Sequence, residues 1–237
     1  MARFFLPPAA WNGETCLTGD EARHLSQVMR IRVGEEIIVF DGEGVRASAT
    51  VITIAKERVT LRLGDARRLP PPAPEMVLAI AIPKGKTMDL VVQKAVELGV
   101  RSIQPLVTRR TIVQPGDGKS DKWRRVALEA CKQCGADFLP YVAEPLDYDG
   151  WLLQATAGLR MIASLAPGAR PMREIVRKDA VAGPITALIG PEGDFTPEET
   201  AAALGSGFLP VTLGSTVLRT ETAALFCLSA LRYEFDK

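Results

Sequence analysis

The sequence predicts an α/β chain in two parts, a small β-barrel followed by a larger domain built on a mostly parallel sheet. Three observations lead there. Short alternating strand patterns fill the chain before position 69, the run Leu69-Pro-Pro-Pro-Ala-Pro74 interrupts regular structure, and apolar strands then alternate with helical patterns. Four prolines in six residues cannot sustain a helix or a sheet ladder and favour an extended spacer. Domains are therefore expected at 1–69 and 76–237, joined by a linker at 70–75.

In the first part, Glu36 to Phe40 is strand-like, Asp41-Gly-Glu-Gly44 supplies turn chemistry, and Val45 to Ile54 and Arg58 to Leu63 alternate. One helical piece is expected near Glu21 to Met29. Several short strands in so short a stretch suggest a compact barrel. In the second part, Met76 to Ile82 reads as a strand buried on both faces. Thr87 to Leu98 places Met88, Val91, Val92, Ala95 and Val96 on one helical side. Further strands are expected at Ser102 to Val107, Arg160 to Leu165, Ile185 to Ile189 and Pro210 to Leu213. Helices are expected at Asp121 to Cys134, after the capping box Thr196-Pro-Glu-Glu199, and over Thr220 to Phe235. Such alternation implies a parallel sheet covered on both faces.

The composition of the 237 residues, 47% hydrophobic and 24% charged, is that of a globular chain. One histidine, His24, excludes a zinc site built on several histidines. Cys16, Cys131, Cys134 and Cys227 are too few for a disulfide scaffold and read as reduced thiols. The start, Met1-Ala-Arg-Phe-Phe-Leu-Pro-Pro, lacks a secretory apolar core, and no stretch nears the roughly 18 apolar residues of a membrane span. A cytoplasmic protein without membrane contact or bound metal is expected. The formal charge of +1 conceals an asymmetry: residues 84–132 carry 11 basic and 5 acidic groups, residues 133–237 carry 8 and 13. A local basic footprint of this kind suits a nucleic-acid partner.

Three short motifs fail their own requirements. Gly118-Lys119-Ser120 ends like a phosphate-binding loop, but the earlier glycine would fall at Val113. Cys131-Lys-Gln-Cys134 lies inside a helical pattern without a second ligand pair, and Gly205-Ser-Gly207 lacks the third glycine of a dinucleotide fingerprint.

Two glycine-bearing junctions remain, and both follow strands: Leu188-Ile-Gly-Pro-Glu-Gly-Asp-Phe195 and Leu213-Gly-Ser-Thr-Val-Leu-Arg-Thr-Glu-Thr-Ala223. Loops beyond the carboxyl ends of parallel strands are where ligands bind, and Gly190, Gly193 and Gly214 permit close backbone approach. These two segments, with His24-Leu-Ser-Gln-Val-Met-Arg30, Val92-Gln-Lys-Ala-Val-Glu-Leu-Gly-Val100 and Glu129-Ala-Cys-Lys-Gln-Cys134, resemble the RsmE family of ribosomal RNA methyltransferases. The resemblance runs through nearly the whole chain in order. The chain departs from the family pattern at Asp194, where a second glycine is common, and at Thr216, Val217, Lys132, Gln133 and Ala136.

The resemblance implies S-adenosyl-L-methionine-dependent methylation of N3 of a uridine in 16S ribosomal RNA of the small subunit. It implies a PUA-like RNA-binding barrel, a SPOUT domain with a deep trefoil knot, and a homodimer. The cofactor set carried over is Leu165, Leu188, Ile189, Gly190, Pro191, Glu192 and Gly193, with Leu213, Gly214, Val217, Leu218 and Thr220. Arg219 is the candidate that stabilises negative charge developing on the uridine, because its guanidinium stays charged and offers a planar fork of donors. Glu221 has two readings, general base or stabiliser of a helix N-terminus. Candidate RNA contacts are Arg3, His24, Arg30 and Arg32 in the barrel and Lys84, Lys94, Arg109, Arg110, Arg124 and Arg125 beyond it. The competing expectations are a catalytically inactive RNA-binding or ribosome-assembly module and a small-molecule α/β enzyme.

Overall fold

The computed structural model describes residues 1–12, 14–113, 116, 118–154, 157–176 and 183–235. They form two compact units, Met1–Pro71 with Cys131–Leu139, and Pro72–Ala130 with Pro140–Lys237. The sequence predicts 131–139 in the second part; the structure groups this segment with the first. Main-chain hydrogen bonds tie it there, from Gly44 N to Asp137 O at 3.0 Å and from Leu139 N to Gly42 O at 2.9 Å. Gly44 has φ +94°, and a Cβ there would collide with the Phe138 ring, so glycine is required twice over.

The first unit holds strands β1 (Arg3–Phe5), β2 (Cys16–Thr18), β3 (Glu36–Phe40), β4 (Val45–Ile54), β5 (Arg58–Leu63) and β6 (Arg67–Arg68). Their order is β1-β3-β4-β5-β2, with β6 on β4; only β1 and β3 run parallel. The two end strands are not paired with each other, so this is a curled sheet rather than a hydrogen-bonded closed barrel. Phe4 from β1 and Leu17 from β2 nonetheless meet in one core with Ile37, Val39, Val51, Val59 and Leu61. The expected helix is two pieces. Helix α1 (Gly19–Arg23) widens into a π-helical turn at His24–Val28, where Met29 N donates to His24 O at 2.9 Å.

The second unit carries β7 (Met76–Ala81), β8 (Ser102–Val107), β9 (Tyr141–Val142), β10 (Leu146–Asp147), β11 (Leu159–Ala163), β12 (Arg170–Pro171), β13 (Ile185–Ile189) and β14 (Leu209–Thr212). Every pairing is parallel, in the order β10-β8-β7-β13-β11-β14-β12, with β9 on β8. The helices are α2 (Thr87–Glu97), α3 (Lys119–Cys134), α4 (Tyr148–Leu152), α5 (Met172–Ile175), α6 (Pro197–Gly205) and α7 (Thr220–Phe235). Helix α7 packs on α2, β7 and β13, while α4 packs on α6 and β8. The α4–α6 side closes over Ala79, Leu106, Ile162, Leu188, Trp151, Phe195 and Phe208. The continuously apolar β13 is buried at all five positions, as a strand covered on both faces must be.

Candidate functional site

Sheet order builds the site. Because β11 lies between β13 and β14, the carboxyl ends of three parallel strands stand side by side. Their outgoing loops and the first turn of α7 surround a cavity of about 250 Å³ lined by Ala163 to Leu165, Ile189 to Glu192, Asp194, Leu213, Gly214, Thr216 to Thr220 and Ala223. Thr220 Oγ1 donates to the Gly190 carbonyl at 3.1 Å, pinning α7 to the turn after β13. Asp194 closes that turn: its N–H donates to Pro191 O at 2.9 Å and its Oδ1 accepts from Phe195 N at 2.8 Å. With φ 61°, Asp194 occupies the left-handed region, which aspartate tolerates because its short side chain bonds locally. The departure from glycine at this position thus keeps the turn and adds a carboxylate to the cavity wall.

The turn is braced from behind. Arg110 Nη1 donates to Gly193 O at 2.7 Å and to Phe195 O at 3.3 Å. The buried Glu199 accepts from Arg109 N at 2.8 Å and from Thr196 N at 2.8 Å, completing a capping box at the start of α6. Tyr148 Oη donates to Glu199 O at 2.8 Å, and burial, the largest cause, together with the nearby Glu199 and Asp149 charges pushes the Tyr148 phenol up. On the cavity rim, Lys84 N donates to Glu192 Oε1 at 2.9 Å.

Ten of the twelve cofactor candidates line this cavity; Leu188 and Gly193 do not. Leu188 is fully buried in the core, packed in the cluster beneath α4 and α6 with Trp151, Ala203 and Phe208. Gly193 turns toward Arg110, whose Cδ would lie 3.4 Å from a Cβ there. The cavity suits a cationic sulfonium nucleoside on three counts. Leu165, Ile189, Leu213, Val217, Leu218 and Ala223 give it an apolar lining, and among the described residues Glu192 and Asp194 outweigh the one cation, Arg219. The main-chain N–H groups of Thr216, Val217 and Leu218 have no acceptor among the described residues, so they remain available to a ligand's polar edge. At Gly214, φ +136° and open space beyond the Cα keep the floor of the loop clear.

Arg219 sits one residue before α7, lines the cavity and is exposed, and its guanidinium has no ion pair among the described residues. Its carbonyl accepts from Ala223 N at 2.8 Å, which fixes its backbone. Glu221 lies in the first turn of α7, half-buried and outside the cavity lining. Of its two readings, helix N-terminal stabilisation fits this position.

Several RNA candidates are already engaged within the chain. Arg3 is buried on Asp137 Oδ1 at 2.6 Å and Ala136 O at 3.0 Å. Lys94 pairs with Glu97 at 2.8 Å, and Arg124 holds Asp121, Glu144 and Val142 O. Together with Arg110 on its two carbonyls, these four hold structure in place. Hydrogen bonds from Ser120, the largest cause, and then Arg124 lower the Glu144 carboxyl below its ordinary range. His24 is half-buried against Phe4, and Lys132 Nζ donates to its Nδ1 at 3.4 Å. Arg30, Arg32, Lys84, Arg109 and Arg125 are exposed; Arg125 Nε reaches Asp121 O at 3.4 Å.

Sequence reasoning missed Ala163, Ser164 and Ala223 as wall residues. For the first two the signal was the end of β11, but only the sheet order reveals that this end adjoins the other two. The Cys131 thiol is buried, donates to Phe138 O at 3.7 Å and is pushed by burial up to about 12, which makes it inert. Among the described residues no group of three or more His, Cys, Asp or Glu could hold a metal ion, and no helix is long and apolar enough to cross a membrane.

Comparison with known proteins fits this geometry. Residues 70–232 match an RNA methyltransferase domain family, and residues 17–64 match an RNA methyltransferase PUA domain. Ribosomal RNA small subunit methyltransferase E of Synechocystis is 31% identical over 220 residues, covering 91% of this chain and 71% of that protein. Its Bacillus subtilis namesake is 26% identical over 233 residues, covering 93% and 90%. The crystal structure of the Neisseria gonorrhoeae enzyme of that name, bound to S-adenosyl methionine, superposes with a TM-score of 0.89 at 32% identity, covering 98% of this chain and 97% of that one. The chain belongs to the family of the ribosomal RNA small subunit methyltransferases E.

Proposed function

We propose that the protein methylates N3 of a uridine in 16S ribosomal RNA, using S-adenosyl-L-methionine held in the cavity at the ends of β11, β13 and β14. The observation that carries this reading is Arg219, a cation without an intramolecular partner among the described residues, set in the wall of a cavity whose other charges are two carboxylates. The cofactor supplies an electrophilic methyl group. Ten candidates, from Leu165 to Thr220, would hold it, and the carboxylates of Glu192 and Asp194 complement its positive charge.

The chain's own contribution is to the nucleophile. Uridine N3 keeps its proton at neutral pH, and as that proton leaves, charge develops on the base oxygens. The Arg219 guanidinium can donate to such an oxygen, a kind of stabilisation worth about 2.7–4 kcal/mol per well-placed donor. N3 lies on the pairing edge, so the target nucleotide is unpaired or flipped out. Family membership supports the remaining parts of the reading: a knotted cofactor domain, a homodimer with the site near the subunit boundary, and action in the cytoplasm on small-subunit RNA.

The test is mass mapping of methyl groups on 16S RNA from small subunits incubated with the protein and S-adenosyl-L-methionine. One added methyl on a uridine base is expected. Cofactor binding without transfer to any RNA would instead favour the inactive RNA-binding module.

A further inference from the structure

Of the two carboxylates in the wall of the cofactor cavity, the fold fixes one in place. Asp194 is half-buried and closes the turn after β13 with φ 61°. Its N–H donates to Pro191 O at 2.9 Å and its Oδ1 accepts from Phe195 N at 2.8 Å, so backbone and side chain are both held. The carboxylate lies over Gly190, where a Cβ would come within 3.2 Å of Asp194 Oδ1 and 3.1 Å of the Phe195 ring. Glycine at 190 thus leaves the space that this carboxylate occupies, and Thr220 pins the same residue from the α7 side. Phe195 is buried beside it, and an apolar neighbour strengthens the reach of a charge. Among the described residues no Lys or Arg forms an ion pair with Asp194. Arg110, which braces the same turn, spends its Nη1 on the carbonyls of Gly193 and Phe195. Glu192 differs on both counts, being exposed and having its Oε1 taken by Lys84 N at 2.9 Å.

We infer that Asp194 makes the cavity discriminate between the methyl donor and its spent product, favouring the cationic sulfonium over the neutral thioether. This rests on the methyltransferase reading above and adds to it the residue that sets which form of the cofactor stays bound. Methyl transfer forms the N3–CH3 bond and breaks the CH3–S bond, whose electron pair stays on sulfur, while the N3 proton passes to water. Donor and product therefore share their adenosine, ammonium and carboxylate groups and differ by one methyl group and one positive charge. Apolar walls and main-chain donors hold the shared parts of both forms alike. A fixed carboxylate does not, because its attraction for the sulfonium vanishes once the methyl group has left. Specificity is a difference of affinities, and a charge already held by the turn costs no ordering when the donor binds.

The test is the calorimetric affinity of the full-length protein for S-adenosyl-L-methionine and for S-adenosyl-L-homocysteine. Asp194→Asn keeps the shape, the Oδ1 acceptor and the tolerance of a left-handed backbone, and removes only the charge. Affinity for the donor should fall about tenfold, and affinity for the product by less than about twofold. Asp194→Gly adopts the same backbone without strain and should shift the ratio of the two affinities in the same direction by about the same factor. Glu192→Gln should shift that ratio by less than about twofold, because water screens an exposed charge. A ratio that stays constant in both Asp194 variants overturns the inference. An equal loss for both ligands does so too, since it places the carboxylate on the ammonium group that both carry. An unmodified protein that binds neither ligand is a different outcome, because it overturns the functional reading itself.

Discussion

The Thr220 hydroxyl donates to the carbonyl of Gly190 at 3.1 Å, and this bond joins two walls of the cofactor cavity that lie 30 residues apart in the chain. Thr220 is 4% exposed, so water does not replace the bond easily. Thr220→Val keeps the side-chain volume and removes the donor. A net loss of about 1 kcal/mol is the usual result for one such bond, and cofactor affinity should fall about fivefold. Calorimetry with S-adenosyl-L-methionine measures this directly; unchanged affinity would show that the wall holds without it.

Arg110 is the second brace, and its role separates positioning from RNA contact. The guanidinium serves the carbonyls of Gly193 and Phe195 while the Cδ packs near the Gly193 Cα hydrogens. Arg110→Ala should raise the KM for the cofactor about tenfold, equivalent to ~1.4 kcal/mol, with a smaller change in kcat. Arg110→Lys should restore part of it, because an ammonium can reach one of the two carbonyls. If Arg110 instead touched RNA, the salt slope of RNA binding would flatten and the cofactor KM would stay constant.

Removing the cation that Arg219 places in the cavity wall tests the chemistry. Arg219→Ala should lower kcat by about 10²–10³ while leaving cofactor affinity within a few-fold, since an oxyanion donor acts on the transition state. Glu221→Gln should cost far less, because a charge near a helix N-terminus contributes about 0.3–1 kcal/mol. Single-turnover rates on small-subunit RNA distinguish the two, and equal loss in both variants would restore Glu221 as the base.

The long elements were legible because their periodicity had room to show itself. Val45–Ile54 alternates over ten residues, and Thr220–Phe235 repeats its apolar positions over four turns. Strands β1 and β2 have three residues each, and β6, β9, β10 and β12 have two, too few for any period. The glycine-bearing junctions pointed to the cavity because strand ends are where loops meet ligands. The choice between Leu188 and Ile189 was not legible, since a strand buried on both faces does not signal which side chain looks outward. Nor was the fate of Arg3 and Arg124, whose partners Asp137 and Glu144 lie 134 and 20 residues away. A charged side chain's availability depends on its three-dimensional neighbours, and those emerge only with the fold.

The cysteines give a pH-dependent signature. Burial pushes the Cys131 and Cys227 thiols from the ordinary 9.0 up to about 12, while Cys134 is exposed. A raised thiol pKa favours the folded state below about pH 9, and that contribution is lost as pH climbs from there toward 12. At pH 8 iodoacetamide should therefore modify Cys134 in the native protein and leave Cys131 and Cys227 untouched until urea is added. Peptide mass spectrometry reads each site, and rapid native labelling of Cys227 would contradict its burial.

Asp137 anchors the segment 131–139 in the first unit, and its loss should be felt as stability rather than as RNA affinity. Its carboxylate, 4% exposed, takes Arg3 at 2.6 Å and Arg46 at 3.3 Å. Asp137→Ala leaves the Arg3 guanidinium buried at 9% exposure without its partner, a change that typically costs about 3–5 kcal/mol. Arg3→Met combined with Asp137→Leu replaces both charges by apolar groups of similar length and should recover most of that loss. Urea unfolding followed by tryptophan fluorescence measures both variants. If Arg3 served RNA instead, Asp137→Ala would leave the midpoint unchanged and Arg3→Met alone would flatten the salt dependence of RNA binding.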